Sequence, residues 1–167
     1  MFGKKEVRTI YLIRHGKAGW GDMGTTDRER KLEPQGIAES KRLGQQLMNS
    51  GIRVDLMVSS DAVRAWQTAI VLAETIGYQK DKIKKESLLY LADEDRFLDE
   101  LLVLPDEIKS VIFVAHNPGL TDFVNQYLEP PVHAMPPSAL VGLRFRANHW
   151  NEITNCHGEV IEVLLPA

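Results

Sequence analysis

Two histidines and two arginines, spread over three segments of the chain, are suited to binding and transferring a phosphoryl group. Arg14, His15 and Gly16 directly follow the apolar run TIYLI, and His116 directly follows a second apolar run, VIFVA. Arg64 lies in the first turn of a predicted helix. Guanidinium groups bind phosphate oxygens through paired hydrogen bonds, and a neutral imidazole nitrogen can attack phosphorus. If the three segments meet, they can surround a tetrahedral dianion.

Each of these residues also has a purely structural interpretation when it is taken alone. Arg14 could pair with a surface carboxylate at the end of a strand, and Arg64 could lie on a solvated helix face. His116 could be a hydrogen-bonded histidine at the edge of the core. The functional interpretation therefore requires that all four side chains converge at one edge of one sheet.

Short apolar runs predict the strands that would position these residues. The continuous β-rich runs typical of buried parallel strands lie at residues 9–13, 54–59 and 111–115, with a weaker run at 83–90. Residues 139–145 and 159–165 follow each other without an intervening helix, which predicts an antiparallel pair at the sheet edge.

Helices are predicted between these strands from apolar residues spaced three or four positions apart. Pro34 starts the first, which runs to residue 50, and Asp61 and Asp93 are placed to cap the next two. Asn117 is the predicted N-cap of the fourth, with Pro118 at its first position. This order predicts an α/β fold, a three-layer α/β/α sandwich with a mostly parallel central sheet and antiparallel edge strands.

Composition limits the classes of protein to which the chain can belong. Its length of 167 residues, 44% of them hydrophobic, predicts a single domain over residues 1–167. Charged residues make up 26% of the chain and the net charge is −3, so there is no global positive field that would favour nucleic-acid binding. Cys156 is the one cysteine, which fits a reducing compartment. The apolar run at residues 10–13 is too short for a signal peptide or a membrane span. We therefore expect a soluble, cytoplasmic protein with neither a nucleic-acid nor a membrane partner.

The three motifs together resemble those of the histidine phosphatase superfamily, which has a phosphoglycerate mutase-like fold. The motifs are IRHG at 13–16, SDAVRAWQTA at 60–69 and VAHNPG at 114–119. A further segment, MPPSAL at 135–140, together with Trp150 resembles the SixA branch of the superfamily, the phosphohistidine phosphatases. The resemblance covers roughly residues 9–150. It implies that His15 is the nucleophile and that Arg14, Arg64 and His116, the last in its protonated form, bind the phosphoryl oxygens. It implies neither a metal nor a cofactor.

Three further residues are assigned to the substrate-binding surface. Gly16 would let the backbone approach a ligand, and Lys17 would add positive charge at the entrance. Asn117 is placed there by its motif, although its predicted capping role explains it without a ligand.

The resemblance also raises the question of a general acid. Superfamily members that act on phosphomonoesters use a glutamate or aspartate for this role, but residues 86–90, ESLLY, offer none at a matching position, and Glu86 is predicted to face water from a strand. Asp22 and Asp27 in the loop at residues 16–33 remain alternatives. A histidine leaving group can depart as neutral imidazole and needs less help from an acid than an alkoxide does.

The sequence therefore predicts hydrolysis of phosphohistidine, carried by a protein substrate, through a phosphohistidine intermediate on His15. One alternative is a phosphatase or mutase of the same fold that acts on a small phosphorylated molecule. A second is a module that binds a phosphorylated ligand without turnover. A third is a metal hydrolase that uses His15 and His116.

Overall fold

A six-stranded sheet covered by helices on both faces forms the described part of the computed structural model, residues 3–166. Met1, Phe2 and Ala167 lie outside it, and with them the ends of the predicted 1–167 domain. The strands are β1 (Val7–Arg14), β2 (Leu56–Ser59), β3 (Lys84–Lys85), β4 (Ser110–Ala115), β5 (Leu140–Arg146) and β6 (Gly158–Leu164). The helices are α1 (Pro34–Asn49), α2 (Val63–Ile76), α3 (Glu94–Leu102) and α4 (Gly119–Val124).

The strand order β3-β2-β4-β1-β5-β6 brings the predicted site segments to one edge of the sheet. Strands β3, β2, β4 and β1 are parallel, whereas β5 pairs antiparallel with β1 and β6 pairs antiparallel with β5. Arg14 at the end of β1 stands opposite Ala115 at the end of β4, and Ser59 of β2 stands opposite Val114. The predicted fold class and the antiparallel edge pair are confirmed.

Alternation along β1 sends its side chains into two separate cores, one on each face of the sheet. Ile10 and Leu12 pack with apolar residues of α3 and α4, whereas Tyr11 and Ile13 pack with those of α1 and α2. This arrangement gives the three predicted layers and fixes the end of β1 from both sides. None of the helices in residues 3–166 combines the length and the apolar character needed to cross a bilayer.

Two local predictions in the region of α2 and β3 are wrong. Helix α2 has Ala62 as its N-cap, not Asp61, because the Asp61 carboxylate instead accepts a hydrogen bond from Arg28 Nε at 3.0 Å. The strand expected at 83–90 is reduced to the two residues of β3. There the Glu86 carboxylate, which is partly buried and not a water-facing strand residue, accepts from the Leu88 amide at 3.0 Å and starts a 3₁₀ turn. The Asp93 cap is confirmed, since its side chain accepts from Arg96 N.

Candidate active site

The candidate site lies where β1, β2 and β4 end at the same edge of the sheet. Backbone hydrogen bonds continue one residue beyond each strand, from His15 N to Ala115 O at 3.1 Å and from Ser60 N to Val114 O at 3.0 Å. The Ser138 amide, just before β5, donates to the carbonyl oxygen of His15 at 3.2 Å. The backbone around the predicted nucleophile is therefore held by its neighbours on both sides.

His15 is buried and is fixed in one tautomer by its two ring contacts. Its Nδ1 lies 2.7 Å from the carbonyl oxygen of Gly16, which can only accept, so Nδ1 carries the proton. Its Nε2 accepts a hydrogen bond from Arg64 Nε at 3.3 Å and therefore presents a lone pair. Burial, together with the charges of Arg64 and Arg14, lowers the pKa of His15 from 6.5 to about 4. The ring is neutral at pH 7, as a nucleophile must be.

Arg64 is buried beside His15 and its guanidinium is largely engaged by one residue, Asp27. Arg64 Nη1 donates to the Asp27 carbonyl oxygen at 2.6 Å, and Nη2 donates to the Asp27 carboxylate at 3.0 Å. The structural alternative of an arginine on a solvated helix face does not apply, because the Arg64 side chain is only 6% exposed.

Asp27 is a member of the cluster, but as an ionised acceptor. Its carboxylate also accepts from Tyr90 OH at 2.6 Å and from Arg30 Nη1 at 2.9 Å. The hydrogen bond from Tyr90, with those from Arg30 and Arg64, holds the pKa of Asp27 far below its ordinary value. A general acid must carry a proton at working pH, so this arrangement does not suit Asp27 to that role. Asp22 is exposed elsewhere in the loop.

His116 lies beside His15, with their ring centroids 5.1 Å apart. Its Nε2 is 2.8 Å from Ser60 Oγ, and its buried Nδ1 has no hydrogen-bond partner among residues 3–166. Burial, the neighbouring His15 and the charge of Arg64 lower the pKa of His116 to about 3. The His116 ring is therefore neutral at pH 7 when no anion lies beside it, and its protonation next to a phosphoryl group stays a prediction.

Arg14 reaches the same region from the end of β1. Its Nη1 donates to the carbonyl oxygen of Met135 at 2.8 Å, and its buried Nε has no partner within the described part of the chain. The proline-rich loop at 130–137 therefore positions this guanidinium. Burial lowers the pKa of Arg14, and the positive charge of the nearby Arg64 lowers it further.

The three further residues, Gly16, Lys17 and Asn117, all make contacts within the protein, and their part in substrate binding stays a prediction. The Gly16 amide already donates to Thr68 Oγ1 at 2.9 Å, and a Cβ at Gly16 would lie 2.9 Å from the carbonyl oxygen of Gly36. Gly16 therefore serves close packing. Lys17 Nζ contacts Gln35 Oε1 at 3.1 Å and Glu33 at 3.4 Å.

Asn117 is not the cap of α4, whose N-cap is Pro118 and which begins at Gly119. Its amide nitrogen donates to Met135 O at 2.9 Å and its Oδ1 accepts from Thr121 Oγ1 at 2.8 Å. Both ends of the side chain are thus used to attach the proline-rich loop to α4. Asn117 supports the loop that holds Arg14 in place.

Three residues of the cluster, Ser60, Tyr90 and Met135, were not singled out as site residues from the sequence, and Asp27 was considered only as an alternative general acid. Ser60 directly follows β2, as His15 and His116 follow their strands, and this shared position could have identified it. Asp27, Tyr90 and Met135 lie in irregular segments, and only their long-range contacts place them at the site.

Two guanidinium groups, an imidazole whose unprotonated Nε2 accepts from Arg64, and a second imidazole with an unpartnered nitrogen lie together at the sheet edge. Charge-assisted hydrogen bonds from such groups can bind the oxygens of a tetrahedral dianion and stabilise the charge that spreads over them during phosphoryl transfer. The four predicted side chains are thus brought together.

Comparison with known proteins agrees with this arrangement. Residues 10–89 match the family model of the histidine phosphatase superfamily (branch 1). A segment of 85 residues is 38% identical to the mitochondrial serine/threonine-protein phosphatase Pgam5 of Drosophila persimilis, covering 51% of this chain and 29% of that protein. The chain therefore matches less than a third of the length of this relative.

Solved SixA structures share the fold along nearly the whole chain. The SixA protein of Agrobacterium tumefaciens superposes with a TM-score of 0.80 at 25% identity, covering 96% of this chain and 99% of that one. A protein histidine phosphatase SixA in complex with tungstate superposes with a TM-score of 0.78 at 20% identity over 95% and 97% of the two chains. The fold, the three motifs and the match to the family model over residues 10–89 agree in their likeness to the histidine phosphatase superfamily.

Proposed function

We propose that this protein is a phosphatase that hydrolyses phosphohistidine carried by another protein, through a phosphohistidine intermediate on His15. One observation carries the proposal: the Nε2 lone pair of His15 is unprotonated and faces the guanidinium of Arg64 in a buried cluster. A histidine held only for packing would not need a second histidine and two arginines at the same point. The likeness to SixA proteins supports the choice of substrate.

In the first step, His15 Nε2 attacks phosphorus in line with the bond to the leaving group. The new N–P bond forms on His15 as the bond to the substrate's nitrogen breaks, and the leaving imidazole departs neutral when its other nitrogen carries a proton. In the second step, water attacks the phosphorus, which releases inorganic phosphate and returns the electron pair to His15 Nε2. The water proton leaves with the phosphate or to solvent.

Arg14, Arg64 and His116 bind the phosphoryl oxygens through both steps. The unpartnered Nε of Arg14 and Nδ1 of His116 are buried polar atoms that a ligand would satisfy. A bound dianion raises the pKa of His116 from the low value that burial gives it, because an adjacent negative charge favours the protonated ring. His116 then gains its charge when the phosphoryl group arrives.

The state of Asp27 favours a P–N substrate over a phosphomonoester. An alkoxide leaving group gains much from a proton donor. The Asp27 carboxylate of this cluster is ionised and accepts hydrogen bonds from three side chains, so it does not supply that proton.

The second candidate is a phosphomonoesterase that acts on phosphoserine or phosphothreonine, and it is favoured by the similarity to Pgam5 over half of this chain.

The test combines trapping of the intermediate with a comparison of substrates. Purified protein is mixed with a labelled phosphohistidine peptide, quenched, and examined for label that is stable to alkali and labile to acid, as phosphohistidine is. We expect label on the wild type and on the control His133→Asn, whose histidine is exposed in the proline-rich loop, but not on His15→Asn. Turnover by His15→Asn at the wild-type rate would refute the nucleophile assignment.

The same preparation is then given phosphoserine and phosphothreonine peptides of matched sequence. We expect kcat/KM for the phosphohistidine peptide to exceed that for either ester by about a hundredfold, which corresponds to roughly 2.7 kcal/mol in the barrier. Equal or reversed preference would replace the first candidate with the second.

A further inference from the structure

Arg64 binds an anion that is part of the chain itself, the carboxylate of Asp27. Both Nη atoms of Arg64 are taken by Asp27, one through its main-chain carbonyl oxygen at 2.6 Å and the other through its carboxylate at 3.0 Å. The third donor, Nε, faces His15. Each Nη atom keeps a second N–H group, but a phosphoryl group that binds the paired N–H groups now facing Asp27 must displace Asp27.

We propose that Asp27 is a specificity-determining residue whose carboxylate competes with the phosphoryl group for Arg64, so that the site holds free phosphate weakly and releases it after hydrolysis. This inference rests on the proposed function in that it takes the His15 cluster to be the phosphoryl site. It assigns to Asp27 a role other than that of general acid.

Exposure decides which partner of the ion pair can move. The Arg64 side chain is 6% exposed, whereas the Asp27 side chain is 46% exposed and lies on the solvent side of the pair. Rotation of the carboxylate toward water frees Arg64 Nη2 without opening the core. The Asp27 carbonyl oxygen can remain on Nη1, so the guanidinium keeps its position while it exchanges one anion for another.

Two other side chains hold the carboxylate in its competing position. Tyr90 OH donates to the oxygen that also accepts from Arg64, at 2.6 Å, and Arg30 Nη1 donates to the other oxygen at 2.9 Å. Arg30 is itself fixed by a hydrogen bond to Gly19 O at 2.8 Å and by its position over the Trp20 ring. Since these contacts act on Asp27 and not on Arg64, they strengthen the internal anion against a ligand.

Competition is selective because substrate and product differ in what else they can bind. A phosphoryl group on a protein brings additional contacts from its carrier, which can offset the cost of displacing Asp27. Free phosphate has only the cluster itself. An internal anion therefore weakens retention of the product in particular, which matters for turnover where product release is slow.

The experiment measures binding of inorganic phosphate by isothermal titration calorimetry, which does not depend on turnover. Asp27→Asn removes the charge while keeping the size of the side chain, and we expect it to bind phosphate about tenfold more tightly than the wild type. Asp22→Asn removes the same charge from an exposed position in the same loop, and we expect its affinity to stay within about twofold of the wild type.

Two further variants separate competition from a change in folding. Tyr90→Phe leaves Asp27 in place and removes one hydrogen bond to its carboxylate, so phosphate affinity should rise by about threefold. Adding Arg64→Gln to Asp27→Asn should abolish the gain, because the gain acts through Arg64. Thermal unfolding of each variant verifies that it is folded.

The proposal is overturned if Asp27→Asn binds phosphate as weakly as the wild type, or more weakly, and Tyr90→Phe shows no gain. Asp27 would then be a residue that positions Arg64. Failure of the proposed function would have a different signature: phosphohistidine turnover would be unaffected by His15→Asn, whatever the phosphate titrations give.

Discussion

The two neutral histidines make the stability of this fold depend on pH in a direction that can be worked out. The pKa of His15 is lowered from 6.5 to about 4 and that of His116 to about 3, chiefly by burial. In the unfolded chain both rings regain the ordinary value. As pH falls below 6.5, the unfolded state therefore takes up protons that the folded state does not bind. The contribution of the two histidines to the free energy of unfolding is fully present above pH 6.5 and is lost as pH falls toward 4.

The contribution of His15 to this loss follows from its two pKa values. Between pH 7 and pH 4.5, a shift from 6.5 to about 4 removes on the order of 2 kcal/mol from the free energy of unfolding. His15→Gln deletes that titration, so the variant should lose about 2 kcal/mol less than the wild type over the same interval. His15 also contributes to the low pKa of His116, so its removal changes the second ring in the same direction.

Urea denaturation of both proteins at pH 7 and pH 4.5 measures the difference directly. The control is His133→Gln, which removes an exposed histidine and should lose as much stability as the wild type does. If His15→Gln and the wild type lost equal stability on acidification, His15 would titrate normally in the folded protein. The argument that its Nε2 lone pair remains available at neutral and mildly acidic pH would then fail.

Two further substitutions test the site and its support. Arg64→Lys keeps the charge but loses the planar fork, and we expect kcat/KM for a phosphohistidine peptide to fall on the order of a hundredfold; an unchanged value would show that charge alone suffices. Gly119→Ala places a Cβ where it would overlap the Ala92 carbonyl oxygen, and we expect urea denaturation to show a loss of about 1–3 kcal/mol relative to the wild type. Gly3→Ala, which has nothing within 4 Å, is its control, and equal stability of the two variants would contradict the close approach of α4 to residue 92.

The positions of His15 and His116 could be predicted from sequence because strand ends are encoded locally. A continuous apolar run buried on both faces can only be a central strand of a covered sheet, and the first polar residue after it must lie at the sheet edge. Parallel pairing of β1 with β4 then places both rings at the same edge. The same argument applies to Ser60, which follows β2.

The surroundings of Asp27 could not be predicted in this way. Its contacts to Arg64 and Tyr90 span 37 and 63 positions of the chain, and it lies in a 3₁₀ turn within an irregular loop. No periodic pattern specifies where such a loop crosses the site. For the same reason, the ionisation of Asp27 and of the two histidines depends on burial and on neighbours that local sequence does not reveal.

The failed capping predictions have a common physical cause. Short polar side chains such as those of Asp61 and Asn117 can satisfy a helix terminus, but they can also bind more distant groups. Asp61 pairs with Arg28, and Asn117 joins the Met135 carbonyl oxygen to the Thr121 hydroxyl. A capping preference worth about 1 kcal/mol is outweighed when tertiary structure supplies such partners.

The positive charges of Arg14 and Arg64 bear on two properties of the candidate site, the protonation state of its histidines and its affinity for a phosphoryl group. Burial lowers the pKa values of His15 and His116, and the guanidiniums of Arg64 and Arg14 lower them further. The same guanidiniums would bind the phosphoryl dianion, so the charges that attract the substrate also keep the attacking nitrogen unprotonated before it arrives. In the proposed mechanism, entry of the dianion would favour protonation of His116, and the added positive charge would stabilise the transition state.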